Sequence, residues 1–295
     1  MVVAAFALTA ALGASGAALA QGKLEARYSV TLAGIPIGKG SWVIDVSDSA
    51  YNSVASGATT GLLQAFTGGE GSTVAHGALQ AGRPLTSVYT ATITSRKKSD
   101  VVRLSVSGGT VKELKLDPPQ DEDSERVPIT EANQRGVLDP ITALLLRVPG
   151  AGSPLAPEAC QRTLAIFDGR LRYDLQLAFK RMETVKADKG YAGPVVVCAI
   201  YFSPVAGYIP SRAAVKYISR LREMEVWLAP IAGTRMLVPF RIQGPTPIGP
   251  AVLEADQFVS VALPAREPTK AAAKEPEREA ARLTTKPAAN GPKAQ

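Results

Sequence analysis

Few side chains in this sequence of 295 residues have the types and spacing that catalysis or metal binding requires. His76 is the single histidine, and Cys160 and Cys198 are the two cysteines. A zinc site of the usual kind would need nearly all three, and a Ser-His-Asp triad would have to recruit His76. Neither a P-loop nor a dinucleotide-binding glycine motif occurs. We therefore predict no catalytic residue, no cofactor and no metal, and interpret His76 as structural.

The two cysteines are the number expected for one disulfide bond in an oxidising compartment. Cys160 precedes a strand-like run, and Cys198 lies inside an apolar one. A bridge between them would close a loop of nearly forty residues and stabilise the fold by roughly 3–4 kcal/mol. The alternative is a catalytic or redox thiol, but neither cysteine lies in a CxxC pair. We expect a structural disulfide between Cys160 and Cys198.

Asp168, Arg170, Arg172 and Asp174 form the most suggestive polar group. On a strand, Arg170, Arg172 and Asp174 would share one face and contact an anion or a partner's carboxylate. The alternative, which we favour, is a hairpin turn followed by a solvated face with cross-strand ion pairs. Asp139 precedes a proline and is interpreted as a helix cap rather than an acid catalyst.

The elements that position these residues are short runs in which apolar and polar side chains alternate, as in half-buried strands. Tyr201, Tyr208, Tyr217, Trp42 and Trp227 fall in or near such runs and are assigned mainly to the core. The runs expected as strands are 24–33, 41–47, Tyr51–Thr60, Gly71–Leu79, Leu85–Thr94, Val101–Val106, Val111–Leu116, Thr163–Phe167, Leu171–Phe179, Val195–Phe202, Val215–Ser219, Glu223–Leu228, Met236–Gln243 and Ala251–Val261.

Turn and helix signals separate these strands. Residues 107–110 and Asp168-Gly169 predict hairpins, the second of type I′. The acidic stretch 117–136 is expected to be a surface loop, because the spacing and turn glycine of the alternative, a calcium loop, are absent. Residues 62–66 predict one helical turn, and 139–147 a short apolar helix packed on the sheet.

The two ends of the chain differ from its middle. Residues 1–20 are apolar and uncharged and end in Ala18-Leu19-Ala20, which predicts a secretory signal peptide cleaved between Ala20 and Gln21. The alternative is an uncleaved anchor, although alanine and glycine make the run weakly hydrophobic. Residues 264–295 contain seven basic and four acidic residues and almost no large apolar side chain. They are expected to be a disordered basic tail, which leaves a β-rich domain over 21–263.

Five segments together resemble the family called domain of unknown function 3108, exported proteins of Gram-negative bacteria. The resemblance spans about 24–262 and is carried by 28–38, 138–145, 168–174, 198–207 and 226–239, together with the two cysteines. It implies a mainly β fold with a curved antiparallel sheet, a half-barrel or open barrel similar to lipoprotein carriers, with one or two short helices. It implies no activity.

These observations lead to three functional hypotheses. The first is a non-enzymatic periplasmic protein whose curved sheet binds an apolar ligand, such as a lipid or a lipoprotein acyl chain, or docks an envelope protein. The second is an envelope scaffold or assembly factor that acts through its sheet edges and tail, and the third is a carboxylate-dependent hydrolase. The net charge of +7 is compatible with nucleic acid, but export and the lack of basic-aromatic interleaving disfavour it. No transmembrane span is expected in the mature chain.

Overall fold

The fold is a large, almost entirely antiparallel sheet, described from a computed structural model for residues 21–61, 64, 68–96 and 98–264. The predicted signal peptide, its cleavage residue Ala20, nearly all of the predicted tail and most of the predicted helical turn at 62–66 lie outside these residues. The strands are β1 (Gln21–Leu32), β2 (Ile35–Val46), β3 (Ala50–Thr59), β4 (Glu70–Gln80), β5 (Arg83–Thr94), β6 (Ser99–Ser107), β7 (Thr110–Asp117), β8 (Leu146–Arg147), β9 (Arg162–Phe167), β10 (Arg172–Lys186), β11 (Lys189–Gly190), β12 (Ala192–Ala206), β13 (Glu225–Pro230), β14 (Met236–Thr246) and β15 (Gly249–Leu263).

The strands mostly pair with their neighbours in sequence, as in a meander, and the first strand, β1, pairs with the last, β15. Strands β7 to β1 follow one another in reverse, β1 pairs with β15, and the order continues through β14, β13, β12, β10 and β9. The two-residue strands β8 and β11 pair beside this path, with β14 and β15. The predicted mainly β fold with an antiparallel sheet is therefore confirmed, and the ladder does not close between β7 and β9.

A short segment links the two free edges of the sheet. The Val137 amide donates to the Gly109 carbonyl oxygen in the β6–β7 turn, and the Leu138 amide donates to the Ala165 carbonyl oxygen of β9. The Phe167 amide of β9 donates in turn to the Leu138 carbonyl oxygen. Residues 137–138 thus lie between β7 and β9, which requires the sheet to curve until its edges approach each other.

Three glycines help the sheet to curve. Gly40 of β2 lies opposite Gly57 of β3, which lies opposite Gly71 of β4. A Cβ atom on Gly40 would lie 2.9 Å from the Ser56 carbonyl oxygen, so this approach excludes a side chain. A row of glycines across adjacent strands permits sharp bending of a sheet.

The segment that follows runs inside the curved sheet. Residues 137–145, which we call the plug, contain a one-turn 3-10 helix (Thr142–Leu144) that contacts both β5 and β14. Five strands separate β5 from β14 in the sheet order, so the sheet must wrap around the plug. Val137, Asp139, Thr142, Ala143 and Leu145 are all buried. The predicted helix over 139–147 is wrong, because different strands contact successive parts of the segment and only Thr142–Leu144 form a helical turn.

A disulfide bond holds the segment before β9 against β12. Cys160 lies at the end of a one-turn 3-10 helix (Pro157–Cys160), and its sulfur is bonded to Cys198 of β12 with the two Cα atoms 5.5 Å apart. Both residues are fully buried, in a cluster with Leu228 and Leu237. Val195 and Val197 on β12 pack in a separate, larger cluster, so this strand is buried on both faces. The expected disulfide bond is present.

The remaining differences from the expected elements are local. The strand expected over Val215–Ser219 is wrong, because most of these residues lie in the α-helix α1 (Ala213–Ile218), none of whose residues is buried. The hairpin at Asp168-Gly169 is present, but its loop has four residues rather than two, because Phe167 pairs with Arg172. The acidic loop is confirmed over most of 118–130, and 131–134 form a one-turn 3-10 helix. Among the described residues, no helix is long and apolar enough to cross a bilayer.

Reducing the disulfide is expected to lower the free energy of unfolding by about 3–4 kcal/mol, because the bond restricts the unfolded chain over a separation of 38 residues. Urea unfolding followed by circular dichroism, with and without dithiothreitol, measures this change. The variant Cys160→Ala/Cys198→Ala is the control, because its stability should not respond to dithiothreitol. Equal midpoints for the oxidised and reduced wild-type protein would contradict the prediction.

Candidate functional site

One end of the sheet carries most of the apolar space, and we call it the α1 end. Here β1 ends at Leu32, β2 begins at Ile35, and the β14–β15 turn follows Thr246. The Ala33 amide donates to the Pro250 carbonyl oxygen, which holds the β1–β2 and β14–β15 turns side by side. Helix α1 follows β12 and lies against this end, because residues of α1 and of the β14–β15 turn line a common cavity.

An inner cavity of about 230 Å³ lies between the plug and the sheet. Ile141 and Leu144 of the plug line one side of this cavity. The other walls come from β1, β2, β3, β14 and β15 and include Tyr28, Val30, Trp42, Ile242 and Leu253. The buried Tyr28 hydroxyl donates to the Pro239 carbonyl oxygen at 2.8 Å, so this polar atom is already satisfied. The walls therefore offer a cavity ligand mainly apolar contacts.

Two further apolar hollows lie on either side of α1, and we call them together the α1 groove. One hollow, of about 480 Å³, shares Val30, Ile242 and Leu253 with the inner cavity. The other, of about 440 Å³, is lined by β10 and β12 residues such as Leu175 and Phe202. Ala214, Ile218 and Met224 line both hollows. The inner cavity and the groove therefore lie next to each other, and together they have the size and apolar lining of a small-molecule site.

A larger hollow of about 690 Å³ lies over the glycine row, but its lining is polar. Arg27, Lys39 and Glu70 line it together with serines, threonines and glycines. It shares Gly40 and Gly57 with the inner cavity. Walls that carry charged and hydroxyl groups in this way suit an apolar ligand less well than the α1 groove does.

The structure does not bring Arg170, Arg172 and Asp174 onto one strand face. Arg170 lies in the β9–β10 loop, where its guanidinium donates to Asp100 at 2.9 Å and to the Pro118 carbonyl oxygen. Arg172 pairs with Asp174 at 2.7 Å, and the Arg172 side chain is only 13% exposed. These internal ion pairs occupy the charges. The hairpin turn of the alternative is present, but Arg172 and Asp174 pair within one strand rather than across strands, and the Arg172 side chain is mostly shielded from solvent. Asp168 accepts hydrogen bonds from the Arg170 and Leu171 amides and shapes the loop.

Asp139 is the most deeply buried carboxylate of the described chain and forms the centre of a polar network. Its Oδ1 accepts hydrogen bonds from the Ile141 and Thr142 amides, which is the capping role expected for it. Its Oδ2 accepts hydrogen bonds from the Thr86 hydroxyl at 2.6 Å and from the Thr142 hydroxyl. The Thr142 hydroxyl is also bonded to the Tyr51 hydroxyl at 2.6 Å. Burial raises the pKa of Asp139, and these hydrogen bonds partly offset that shift.

A second charged cluster, which the sequence analysis missed, surrounds Trp227. The guanidinium groups of Arg181 and Arg241 lie 5.5 and 4.8 Å from the Trp227 ring centroid. The Trp227 Nε1–H donates to Glu183 at 2.6 Å, and Arg181 binds both Glu183 and Glu225. These contacts lower the pKa of Glu183 and of Glu225. Both carboxylates are thus held ionised, which does not suit the general acid of a hydrolase.

The other sequence candidates are dispersed. His76 is exposed on β4, opposite Asn52 and Val88. Trp42 and Trp227 are buried as expected, but Tyr208 and Tyr217 line the α1 groove instead of the core. A signal that could have indicated the groove helix is the pair Ala213-Ala214, because alanine has the highest intrinsic helix propensity.

A family model and a solved structure match the chain. The family model described as protein of unknown function DUF3108 matches residues 27–256. No curated protein matches the chain. Among solved structures, a β-barrel-like protein of domain of unknown function DUF1849 from Brucella abortus is 8% identical, with a TM-score of 0.41. That match covers 82% of this chain and 98% of the other.

Replacing Asp139 by leucine is expected to lower the free energy of unfolding by about 3 kcal/mol or more, because buried N–H and O–H donors lose their acceptor. Asp139→Asn retains an acceptor oxygen and a polar group and should cost less. Since the folded-state pKa of Asp139 lies above its ordinary value of 3.8, the native state retains this proton more readily than the unfolded state. Its contribution to stability should therefore decrease as pH rises above the ordinary aspartate range.

Urea unfolding at a series of pH values measures both effects. The difference in stability between wild type and Asp139→Asn should shift with pH in the stated direction, because the asparagine does not titrate. A leucine variant as stable as wild type would show that the network does not hold the plug.

Proposed function

The chain belongs to the DUF3108 family of proteins of unknown function, and we propose that it is an exported, non-enzymatic protein of the bacterial periplasm that binds an apolar ligand. The ligand class is a lipid or a lipoprotein acyl chain. The observation that carries this proposal is the adjacency of the inner cavity and the α1 groove, which share the apolar wall residues Val30, Ile242 and Leu253.

The walls of this site favour a hydrocarbon chain. Leu175 and Phe202 lie on one side of α1, and Val30 and Leu253 lie on the other. Burying the apolar surface of an acyl chain against them is worth about 25 cal/mol per Å². Two charged residues, Asp168 and Arg172, also line the first hollow, where Arg172 is paired with Asp174 and Asp168 accepts hydrogen bonds from backbone amides. A ligand whose polar head remains at the α1 end and whose chain enters the groove fits this arrangement.

Helix α1 gives the site a cover that can move. None of its residues is buried, so few apolar contacts oppose its displacement from the sheet. Ala214 and Ile218 face hollows on both sides of the helix, which places α1 over the middle of the groove. A long ligand would lie beneath α1 and gain contacts from it.

The scaffold and hydrolase hypotheses receive less support. Residues 137–138 already occupy part of both free sheet edges, which reduces the backbone available for pairing with a partner strand. The hydrolase would need a carboxylic acid with a raised pKa that reaches a substrate. Asp139 is 1% exposed and accepts four hydrogen bonds, and Arg181 forms ion pairs with Glu183 and Glu225. Burial raises the pKa of Asp168, which lines one hollow of the α1 groove, but among the described residues no second carboxylate lines that hollow, as a glycosidase-like pair would require.

Filling the groove is expected to weaken ligand binding. In Ala214→Trp the indole would occupy space on both sides of α1, whereas Ala213→Trp changes a helix residue that lines neither hollow. With cis-parinaric acid as a fluorescent acyl-chain probe, we expect the affinity of Ala214→Trp to fall about tenfold, a loss of about 1.4 kcal/mol. Ala213→Trp should bind like wild type. Equal affinities for wild type and Ala214→Trp, or no binding by any form, would contradict the proposal.

Export predicts a defined mature form. Expressed from the full sequence in a Gram-negative host, the protein in the periplasmic fraction should begin at Gln21 and carry the Cys160–Cys198 disulfide. Intact mass spectrometry with and without reduction measures both features. A protein that retains residues 1–20 or stays in the cytoplasm would count against export and leave the groove itself untested, so the acyl-chain measurement is made separately.

A further inference from the structure

Two hairpin turns at the α1 end present the most exposed large apolar side chains of the described chain. Ile35 begins β2 and is 66% exposed, and Ile248 lies in the β14–β15 turn and is 71% exposed. The hydrogen bond from the Ala33 amide to the Pro250 carbonyl oxygen keeps the two turns adjacent. Two isoleucines on neighbouring turns project more apolar surface into water than isolated exposed residues usually do.

Helix α1 and its last turn lie beside these hairpins and are amphipathic. Tyr217 and Leu221 line the same hollow as Pro247 of the β14–β15 turn. Lys216 and Arg220 are exposed, four residues apart, and line neither side of the groove. Among the described residues, neither of these two cations takes part in an ion pair. Apolar and cationic groups therefore occur together at one end of the molecule.

We propose that this surface, Ile35, Tyr217, Ile248, Lys216 and Arg220, docks on the face of an anionic lipid bilayer. Exposed apolar side chains enter the interfacial region of a bilayer, while lysine and arginine contact anionic head groups. The hairpin turns are too short to reach deep into the hydrocarbon core, so the contact is limited to the surface of the bilayer. It would bring the opening of the α1 groove to the membrane, although the docking surface does not need an occupied groove.

Charge on the other side of α1 orients this contact. The acidic loop reaches α1 from the opposite flank, where the Val127 amide donates to the Tyr208 carbonyl oxygen. Asp121 lines a hollow there together with Arg212, the residue before α1. Repulsion between this loop and anionic lipid would direct the Ile35 and Ile248 turns, rather than the loop, toward the bilayer.

Co-sedimentation with vesicles tests the proposal, using the mature chain with its tail and no added groove ligand. Wild type should bind vesicles of phosphatidylglycerol and phosphatidylcholine more tightly than vesicles of phosphatidylcholine alone. Lys216→Glu/Arg220→Glu should weaken binding to the anionic vesicles by about tenfold or more. Its matched control, Lys112→Glu/Lys186→Glu, makes the same charge change near the other end of the sheet and should weaken binding less than about threefold.

The apolar contribution has its own pair of variants. Ile35→Ser/Ile248→Ser should weaken binding to anionic vesicles by about tenfold. Val54→Ser/Val74→Ser is the matched control, since both valines are 41% exposed and lie within β3 and β4. Circular dichroism establishes that all variants are folded.

Two results would overturn the proposal. In the first, variants and controls lose binding equally, which would mean that net charge or the tail alone attracts the protein to lipid. In the second, wild type does not bind anionic vesicles, as expected if the surface instead contacts a protein. Failure of acyl-chain binding would leave the vesicle result unaffected, so the two proposals fail separately.

Discussion

The fold depends on holding the plug, an apolar segment with two buried polar side chains, Asp139 and Thr142, inside a curved sheet. The plug can remain there because its buried polar groups are paired. Asp139 accepts hydrogen bonds from two amides and two hydroxyls, and Tyr51 of β3 is joined to the same network through Thr142. A buried carboxylate without these donors would cost several kcal/mol. The network therefore fixes both the position of the plug and the curvature of the strands around it.

The plug also determines where the molecule has space. The inner cavity lies beside Ile141 and Leu144 of the plug, and it neighbours the groove at the α1 end. At that end the cover is α1, which lies on the surface, whereas the disulfide fastens a different segment within a buried cluster. The protein thus combines a fixed framework with a lightly held helix, which suits reversible entry of a flexible apolar molecule.

The sequence predicted the strands well because period-two alternation reflects burial on one face, as for Trp42, Ile44 and Val46 of β2. Its failures occur where a residue's surroundings come from distant parts of the chain. The apolar run 141–146 resembles a helix, but it is apolar because β5 and β14 enclose it. Arg170 reads as a strand residue, yet its partner Asp100 lies seventy positions away. The α1 groove could not be predicted, because its walls are assembled from β1, β10, β12, β14 and α1.

Nuclear magnetic resonance with a nitroxide-labelled fatty acid can show whether an apolar molecule enters the α1 groove. We expect the amide signals of Ala214, Ile218, Ile242 and Leu253 to lose intensity, while those of Gly109 and Lys186 at the other end of the sheet keep theirs. Loss of intensity spread evenly over the protein, or confined to residues outside the groove, would contradict this expectation.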